Sequence, residues 1–348
     1  MDLRVLILSD GPNLDSGYGK LARWLGTKST WNVAFGSFQH VGKPLYYQGR
    51  PVYSATSQAM IDYTIKEFQP DIVLHIRDPV VHTKYFQNMY TFTKYKNVTK
   101  VVGYIMVMYD YYNAMTAKAI FENYHHVAVP TVWGKRVLTS SGVPTNMMSV
   151  IKPWAEICTE TKEIDVPDNY LLFIAVNDDR RKNTVAVLDM LRRTDYNLVL
   201  ISASGAYNIE EIVERYGLQK RVYYPVFYVK GLGMDDRELA YIYKNAQAYV
   251  SLSVLEGINL PPLEMLKYGG RVLLSDIPVH RELYHKYANF VPTRRGYSDL
   301  GGLYWQVDVD SAVKELEQLM TKQKVRINDY TTEEAIASFE KTFREILD

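Results

Sequence analysis

Two glutamates separated by seven residues carry the first chemical signal in this chain. Glu256 and Glu264 lie within SVLEGINLPPLEMLKYGG, residues 253–270. Adjacent prolines are tolerated in the first turn of a helix, where their missing N–H groups would be unpaired anyway, and the glycine pair Gly269-Gly270 supplies a stop. The pattern predicts a helix over about 261–268, preceded by a loop containing Glu256, Gly257, Ile258, Asn259 and Leu260. A helix amino end attracts anions through free N–H groups and the macrodipole. Glu264 is expected at the end of the first turn and Glu256 in the loop after a strand at 248–252. Both carboxylates would then face one crevice, on either side of a phosphate-binding backbone. Taken alone, the same residues also describe a solvated loop acid and a first-turn acid that complements the dipole.

The stretch NDDRRKN, residues 177–183, follows an apolar run and gathers Arg180, Arg181 and Lys182, which taken alone also describe an exposed basic loop. Near the amino end, SGYGKLA, residues 16–22, contains Gly17 and Gly19 in the order of a dinucleotide fingerprint. That reading is disfavoured: Gly17 comes only after the insertion GPNLDS, and Gly36-Ser37 stand where the second strand should end in an acid. His75, Arg77 and Asp78 close another apolar run and are expected to point toward a cleft.

These residues need a scaffold of buried strands alternating with helices. Residues 3–9 (LRVLILS), 32–38, 71–76, 101–108 and 126–129 read as strands, several of them apolar throughout, as in sheets covered on both faces. Helical patterns at 18–26 and 58–68 lie between them. The alternation restarts at 170–176 (YLLFIAV) and continues through 197–202, 222–225, 248–252 and 271–275. Pro153, Pro167 and a charged stretch break the periodicity between the two series. The expected fold class is α/β: two Rossmann-like, doubly wound domains facing an inter-domain cleft, with ligands beyond the carboxyl ends of the strands. The expected domains are 1–155, 156–330 and a final amphipathic helix, 331–348, crossing back to the first domain.

Composition narrows the function. Among 348 residues, 40 Lys and Arg balance 39 Asp and Glu, a net charge of +1, so the basic field of a general nucleic-acid binder is absent. The single cysteine, Cys158, excludes an internal disulfide framework. No apolar run approaches the roughly 20 residues of a membrane-spanning helix, and no signal peptide is recognised. The expected location is the cytoplasm, with peripheral membrane contact and oligomeric state left open. Asp308-Val309-Asp310 is read as a helix cap, and the scattered histidines suggest no metal site.

The segment 253–276 resembles retaining glycosyltransferases of the GT-B fold, in particular the large family four of nucleotide-sugar-dependent enzymes. Their pattern is E-G-F-G-L-P-x-L-E-A-M, then glycine and a strand ending in S-D; here EGINLPPLEML is followed by Gly269-Gly270 and a strand ending in Ser275-Asp276. Residues 236–247 (DRELAYIYKNAQ) also resemble the family. The resemblance implies transfer of a hexose from a UDP- or GDP-sugar to an acceptor hydroxyl with retention. It gives Glu264 the donor ribose, Glu256 the transferred sugar, and Lys182 with Arg180 or Arg181 the diphosphate. The N–H groups of Ile258, Asn259 and Leu260 would lie near sugar and diphosphate, and Gly17 and Gly19 near the diphosphate or acceptor. Ile258-Asn259 stand where the family usually has aromatic-glycine. Tyr109 and Asp110 stand where many members have an acceptor-side histidine, so they join His75 and Arg77 as acceptor-side candidates. No cofactor and no metal are implied; the partners are a nucleotide sugar and an acceptor that is a glycan, lipid, protein or small molecule. A nucleotide-sugar epimerase of the same fold, a non-catalytic sugar or nucleotide binder and a dinucleotide oxidoreductase are the alternatives.

Overall fold

The computed structural model describes residues 3–79, 91–176, 179–203, 208–224, 227–228, 234–297 and 303–348. The chain forms two compact units, Met1–Ala155 with Tyr330–Asp348, and Glu156–Asp329.

The first unit is built on β1 (Arg4–Ser9), α1 (Gly17–Lys28), β2 (Asn32–Ser37), β3 (Leu45–Tyr47), β4 (Arg50–Ser54), α2 (Gln58–Phe68), β5 (Ile72–Arg77), β6 (Lys100–Ile105), α3 (Ala114–Asn123), β7 (His126–Val129), α4 (Val132–Ser140) and β8 (Met148–Val150). The sheet order is β3-β4-β2-β1-β5-β6-β7-β8. Every pairing is parallel except β3 with β4. The continuous apolar runs of β1 and β5 occupy the centre, where both faces are covered. Ser16, Ser57, Asn113 and Thr131 cap the four helices by accepting a first-turn N–H. The short, exposed β3 and its partner β4 were absent from the sequence-based reading, because neither has the apolar run of a doubly covered strand.

The second unit contains β9 (Tyr170–Val176), α5 (Asp179–Lys182), α6 (Thr184–Leu191), β10 (Asn197–Ala203), α7 (Ile209–Arg215), β11 (Val222–Tyr223), β12 (Phe227–Tyr228), α8 (Asp236–Asn245), β13 (Ala248–Ser251), α9 (Leu260–Lys267), β14 (Val272–Ser275), α10 (Pro278–Tyr284), β15 (Asn289–Val291), β16 (Thr293–Tyr297), β17 (Leu303–Val307) and α11 (Val309–Thr321). Its parallel sheet runs β11-β10-β9-β13-β14-β15, with β12 also beside β10. β16 and β17 form a separate antiparallel ribbon. Asp308 caps α11 by accepting from the N–H groups of Asp310 and Ser311, as the capping reading of Asp308-Val309-Asp310 requires.

The last helix, α12 (Thr332–Leu347), packs within the first unit. A reciprocal capping box between Thr331 and Glu334 starts it. Phe339 and Phe343 are buried; Phe339 meets Tyr104 and Trp154, and Phe343 meets Trp31.

Candidate functional site

In each sheet the chain moves outward in both directions from one adjacent pair of strands: β1 and β5 in the first unit, β9 and β13 in the second. Doubly wound sheets bind ligands outside the carboxyl ends of the strands at such a switch point. The segments leaving β9 and β13 carry the cations and Glu256.

Arg181 and Lys182 end the short α5. Arg181 Nη1 donates to Glu256 Oε2 (2.9 Å) and Lys182 Nζ to Glu256 Oε1 (2.6 Å). A backbone bond from Val254 N to Arg181 O (2.9 Å) ties the two loops together. Asn183, in the left-handed conformation, donates from Nδ2 to Leu252 O (3.1 Å). Glu256 is only 4% exposed and Lys182 8%. Burial is the largest influence on the Glu256 carboxyl and would raise it, but the charges of Lys182 and Arg181 prevail and hold it at about 2. His280 adds little at neutral pH, because burial depresses it to about 4 and leaves it neutral.

Glu264 is also buried, and Tyr243 donates its hydroxyl to Glu264 Oε2 (2.6 Å). Tyr268 stacks on Tyr243 at 5.2 Å between ring centroids. Burial and then the charges of Glu256 and Glu264 push the phenol of Tyr249, on β13, far above its ordinary value. Both carboxylates therefore bear on one buried ring. The expectation that Glu264 is a first-turn acid is corrected. Asn259 starts the helix one residue earlier than expected, at Leu260, so Glu264 falls in the second turn and partners Tyr243 instead of the helix end.

The helix end itself also differs from the expectation. Pro261 and Pro262 occupy the second and third helical positions, so two of the N–H groups that would greet an anion do not exist. Backbone anion recognition there is left to residues up to Leu260. Gly257, Ile258, Asn259 and Leu260 are all buried. The side chain of Arg180 lies outside the described residues, as do Asn177 and Asp178.

A second polar cluster sits at the switch point of the first unit. Asp10, the residue after β1, accepts from Ser16 Oγ at Oδ2 (2.6 Å), and from Gln39 Nε2 (2.6 Å) and Arg77 Nη1 (2.6 Å) at Oδ1. Arg77 lies over the rings of Phe38 and Tyr18, and Tyr18 donates to Asp78 Oδ2 (3.2 Å). Sequence reasoning found Arg77 but missed Asp10 and Gln39. The available signal for Asp10 was its place directly after the first apolar run.

Two expectations in this unit are corrected. His75 does not face a cleft: it is fully buried among Phe38, Phe92 and Tyr124, with Nδ1 2.6 Å from the Tyr124 hydroxyl. It lies on the same face of β5 as Arg77 but two residues deeper in the sheet, where Phe92 and Tyr124 cover it. Gly19 is buried and its N–H is already bonded to Ser16 Oγ (3.0 Å), so it does not offer that donor to a phosphate, whereas Gly17 is exposed. Tyr109 and Asp110 are half-buried; Tyr109 packs edge-on against Tyr112, whose hydroxyl accepts from the N–H groups of Met108 and Tyr109. Among the described residues, no group of three or more His, Cys, Asp or Glu is arranged to hold a metal ion, and no helix is long and apolar enough to cross a membrane.

No family model matches the chain. A serotype-specific mannosyltransferase, WbdA of Escherichia coli, is 28% identical over 107 residues, which are 30% of this chain and 13% of that protein. The match thus spans a small part of the relative. Among solved structures, sucrose-phosphate synthase from Thermosynechococcus elongatus superposes with a TM-score of 0.67 at 14% identity, covering 99% of this chain and 94% of that one. The lipopolysaccharide outer core galactosyltransferase WaaB gives 0.61 at 14% identity over 99% of both chains. Anabaena HepE in complex with UDP-glucose gives 0.63 at 11% identity, over 99% and 98%. With two parallel α/β sheets and these neighbours, the chain has the GT-B fold.

Proposed function

We propose that this protein is a retaining glycosyltransferase that moves a hexose from a UDP- or GDP-sugar to an acceptor hydroxyl. The observation that carries the reading is the Arg181–Glu256–Lys182 constellation at the β9/β13 switch point, in which Glu256 and Lys182 are buried and Arg181 is half-buried. The partial likeness to a mannosyltransferase and to a structure holding UDP-glucose supports it.

Cleaving the bond between sugar and diphosphate builds negative charge on the leaving group and positive charge at the anomeric carbon. Lys182 and Arg181 meet the first, aided by the N–H groups of the 257–260 loop. Glu256, ionised at any physiological pH, is no proton donor. It orients the two cations and supplies negative charge beside the developing oxocarbenium. Glu264, oriented by Tyr243, takes the ribose hydroxyls. The acceptor is held by the Asp10–Arg77 cluster, whose mixed donors and acceptors suit hydroxyl groups, with Tyr109 and Asp110 as further candidates. The departing phosphate takes the acceptor proton on the same face, and with Lys182 and Arg181 neutralising charge the reaction needs no divalent metal.

A thermal-shift panel of UDP-, GDP- and ADP-sugars tests the donor, because a ligand that binds the native state raises its apparent stability. The expected result is a shift with a UDP- or GDP-sugar, weakened binding in Glu264→Ala, and reduced turnover with near-native binding in Glu256→Ala, all indifferent to EDTA. Wild-type kinetics in both variants, or strict metal dependence, would contradict the assignment.

A further inference from the structure

Asn259 occupies a position where its type and its neighbours do not match ordinary capping. Its backbone is left-handed, φ 65° and ψ 79°, a region that glycine enters freely and asparagine more readily than most residues. An N-cap side chain normally accepts from the N–H of the second or third helical residue. In α9 those residues are Pro261 and Pro262, which have none, and Asn259 makes no such bond. Its carboxamide turns into the unit instead. Nδ2 donates to Ser251 Oγ (3.1 Å) and to His280 Nε2 (2.9 Å). His280 Nδ1 lies 3.0 Å from the carbonyl oxygen of Ser275, which can only accept. The ring proton is thereby assigned to Nδ1, and Nε2 is the acceptor.

A second contact comes from the same helix. Tyr284 donates its hydroxyl to the carbonyl oxygen of Asn259 (2.7 Å), with Ile258 O at 3.4 Å. His280 and Tyr284 are four residues apart on α10 and so share a face. One takes the side chain of Asn259 and the other its carbonyl. Both are fully buried, as is the loop they hold. Three residues upstream of Asn259 is Glu256, and one downstream is Leu260, which carries the last backbone N–H before the two prolines.

We propose that His280 and Tyr284 are positioning residues: they clamp Asn259 in its left-handed conformation and so fix the 256–260 loop in the geometry that receives the nucleotide sugar. The proposal rests on the donor reading given above. The clamp replaces what glycine supplies by default at such a position. Glycine permits the conformation without enforcing it, whereas an asparagine bonded at both ends is held there. The benefit is preorganisation: a loop already held in its binding geometry loses less freedom when the donor arrives, so loosening it weakens donor affinity.

The test measures UDP-glucose and GDP-mannose binding and KM in full-length Tyr284→Phe, Asn259→Ala and Asn259→Gly. Tyr284→Phe removes one hydroxyl and keeps the ring. The expected result is a donor KM raised about tenfold with kcat little changed; because the buried bond is also lost from the unliganded protein, a modest fall in its thermal midpoint accompanies the change. Asn259→Ala should lose more, and Asn259→Gly should recover part of that loss by regaining the backbone conformation without the carboxamide. A purely structural role would lower the midpoint in Tyr284→Phe and leave KM at the wild-type value, which overturns the proposal alone. If wild-type protein binds neither nucleotide sugar, the donor reading falls and takes this proposal with it.

Discussion

Glu256 and His280 are buried together and respond to burial in opposite ways. The carboxylate has two cations within hydrogen-bond reach and stays charged; the imidazole has only neutral bonding partners and loses its proton. Linkage gives each a pH window. Glu256, lowered from 4.5 to about 2, contributes stability that is present above pH 4.5 and is lost only as pH falls toward 2. His280, lowered from 6.5 to about 4 by burial first, binds its proton more readily in the unfolded chain. Its contribution is therefore lost as pH falls from 6.5 to about 4. At ~1.4 kcal/mol per unit that amounts to about 3 kcal/mol. Glu256, Lys182 and Asp276 are the charged groups acting on it, and half-buried His125 and buried His126 shift in the same direction. Urea unfolding of wild type should show stability falling between pH 7 and pH 5, and His280→Gln should flatten a measurable part of that fall. An unchanged slope in the variant would mean that His280 is not a buried neutral group. The spacing of Glu256 and Glu264 was readable in the chain because both sit on one continuous motif. Their partners were not: His280, Tyr243 and Tyr284 are brought in by other elements, and no local pattern links them to the acids.

At the scale of elements, the buried runs announced their strands because doubly covered strands are apolar throughout, and α2 fell within its sequence-based bounds. The β16–β17 ribbon lies outside the sequence-based strands: Thr293–Tyr297, with Arg294 and Arg295, lacks the apolar run of a doubly covered strand. The glycine-rich start of α1 was misread in a more instructive way. A Cβ added at Gly19 would come within 2.4 Å of Leu14 O and 2.8 Å of Gly11 O. Gly19 is thus required by the close passage of the preceding loop. Alanine is favoured over glycine inside a helix by about 1 kcal/mol, but two backbone oxygens cannot yield as a flexible side chain can, and overpacking costs about 1–3 kcal/mol. Gly19→Ala should therefore be destabilised by about that amount in denaturant unfolding. It should also weaken the Asp10–Arg77 cluster, whose Ser16 anchors the same turn. A neutral or stabilised variant would show that the loop adapts and that the glycine is incidental.

Across the whole molecule, one arrangement is used twice. Each unit places a buried acid on cations where its strand order reverses: Asp10 with Arg77 after β1 and β5, and Glu256 with Arg181 and Lys182 after β9 and β13. Strand alternation in the sequence implied both switch points, but only the second had a motif to identify its residues. The division of the chain is also asymmetric. The first unit is interrupted at Ala155 and completed only when the chain returns at Tyr330. Its core therefore depends on α12, where Phe339 and Phe343 close over Tyr104, Trp154 and Trp31, and Trp31 Nε1 donates to Glu340 Oε1 (3.2 Å). Truncating a fully buried phenylalanine typically costs about 3–5 kcal/mol. Phe339→Ala should therefore lose hydrogen-exchange protection along β6, which carries Tyr104, and in α1 and α12. Peptides from Glu156–Asp329 serve as the internal reference and should keep their wild-type protection. Loss of protection in the second unit of equal size would show that α12 stabilises the chain by a route other than completing the first unit's core.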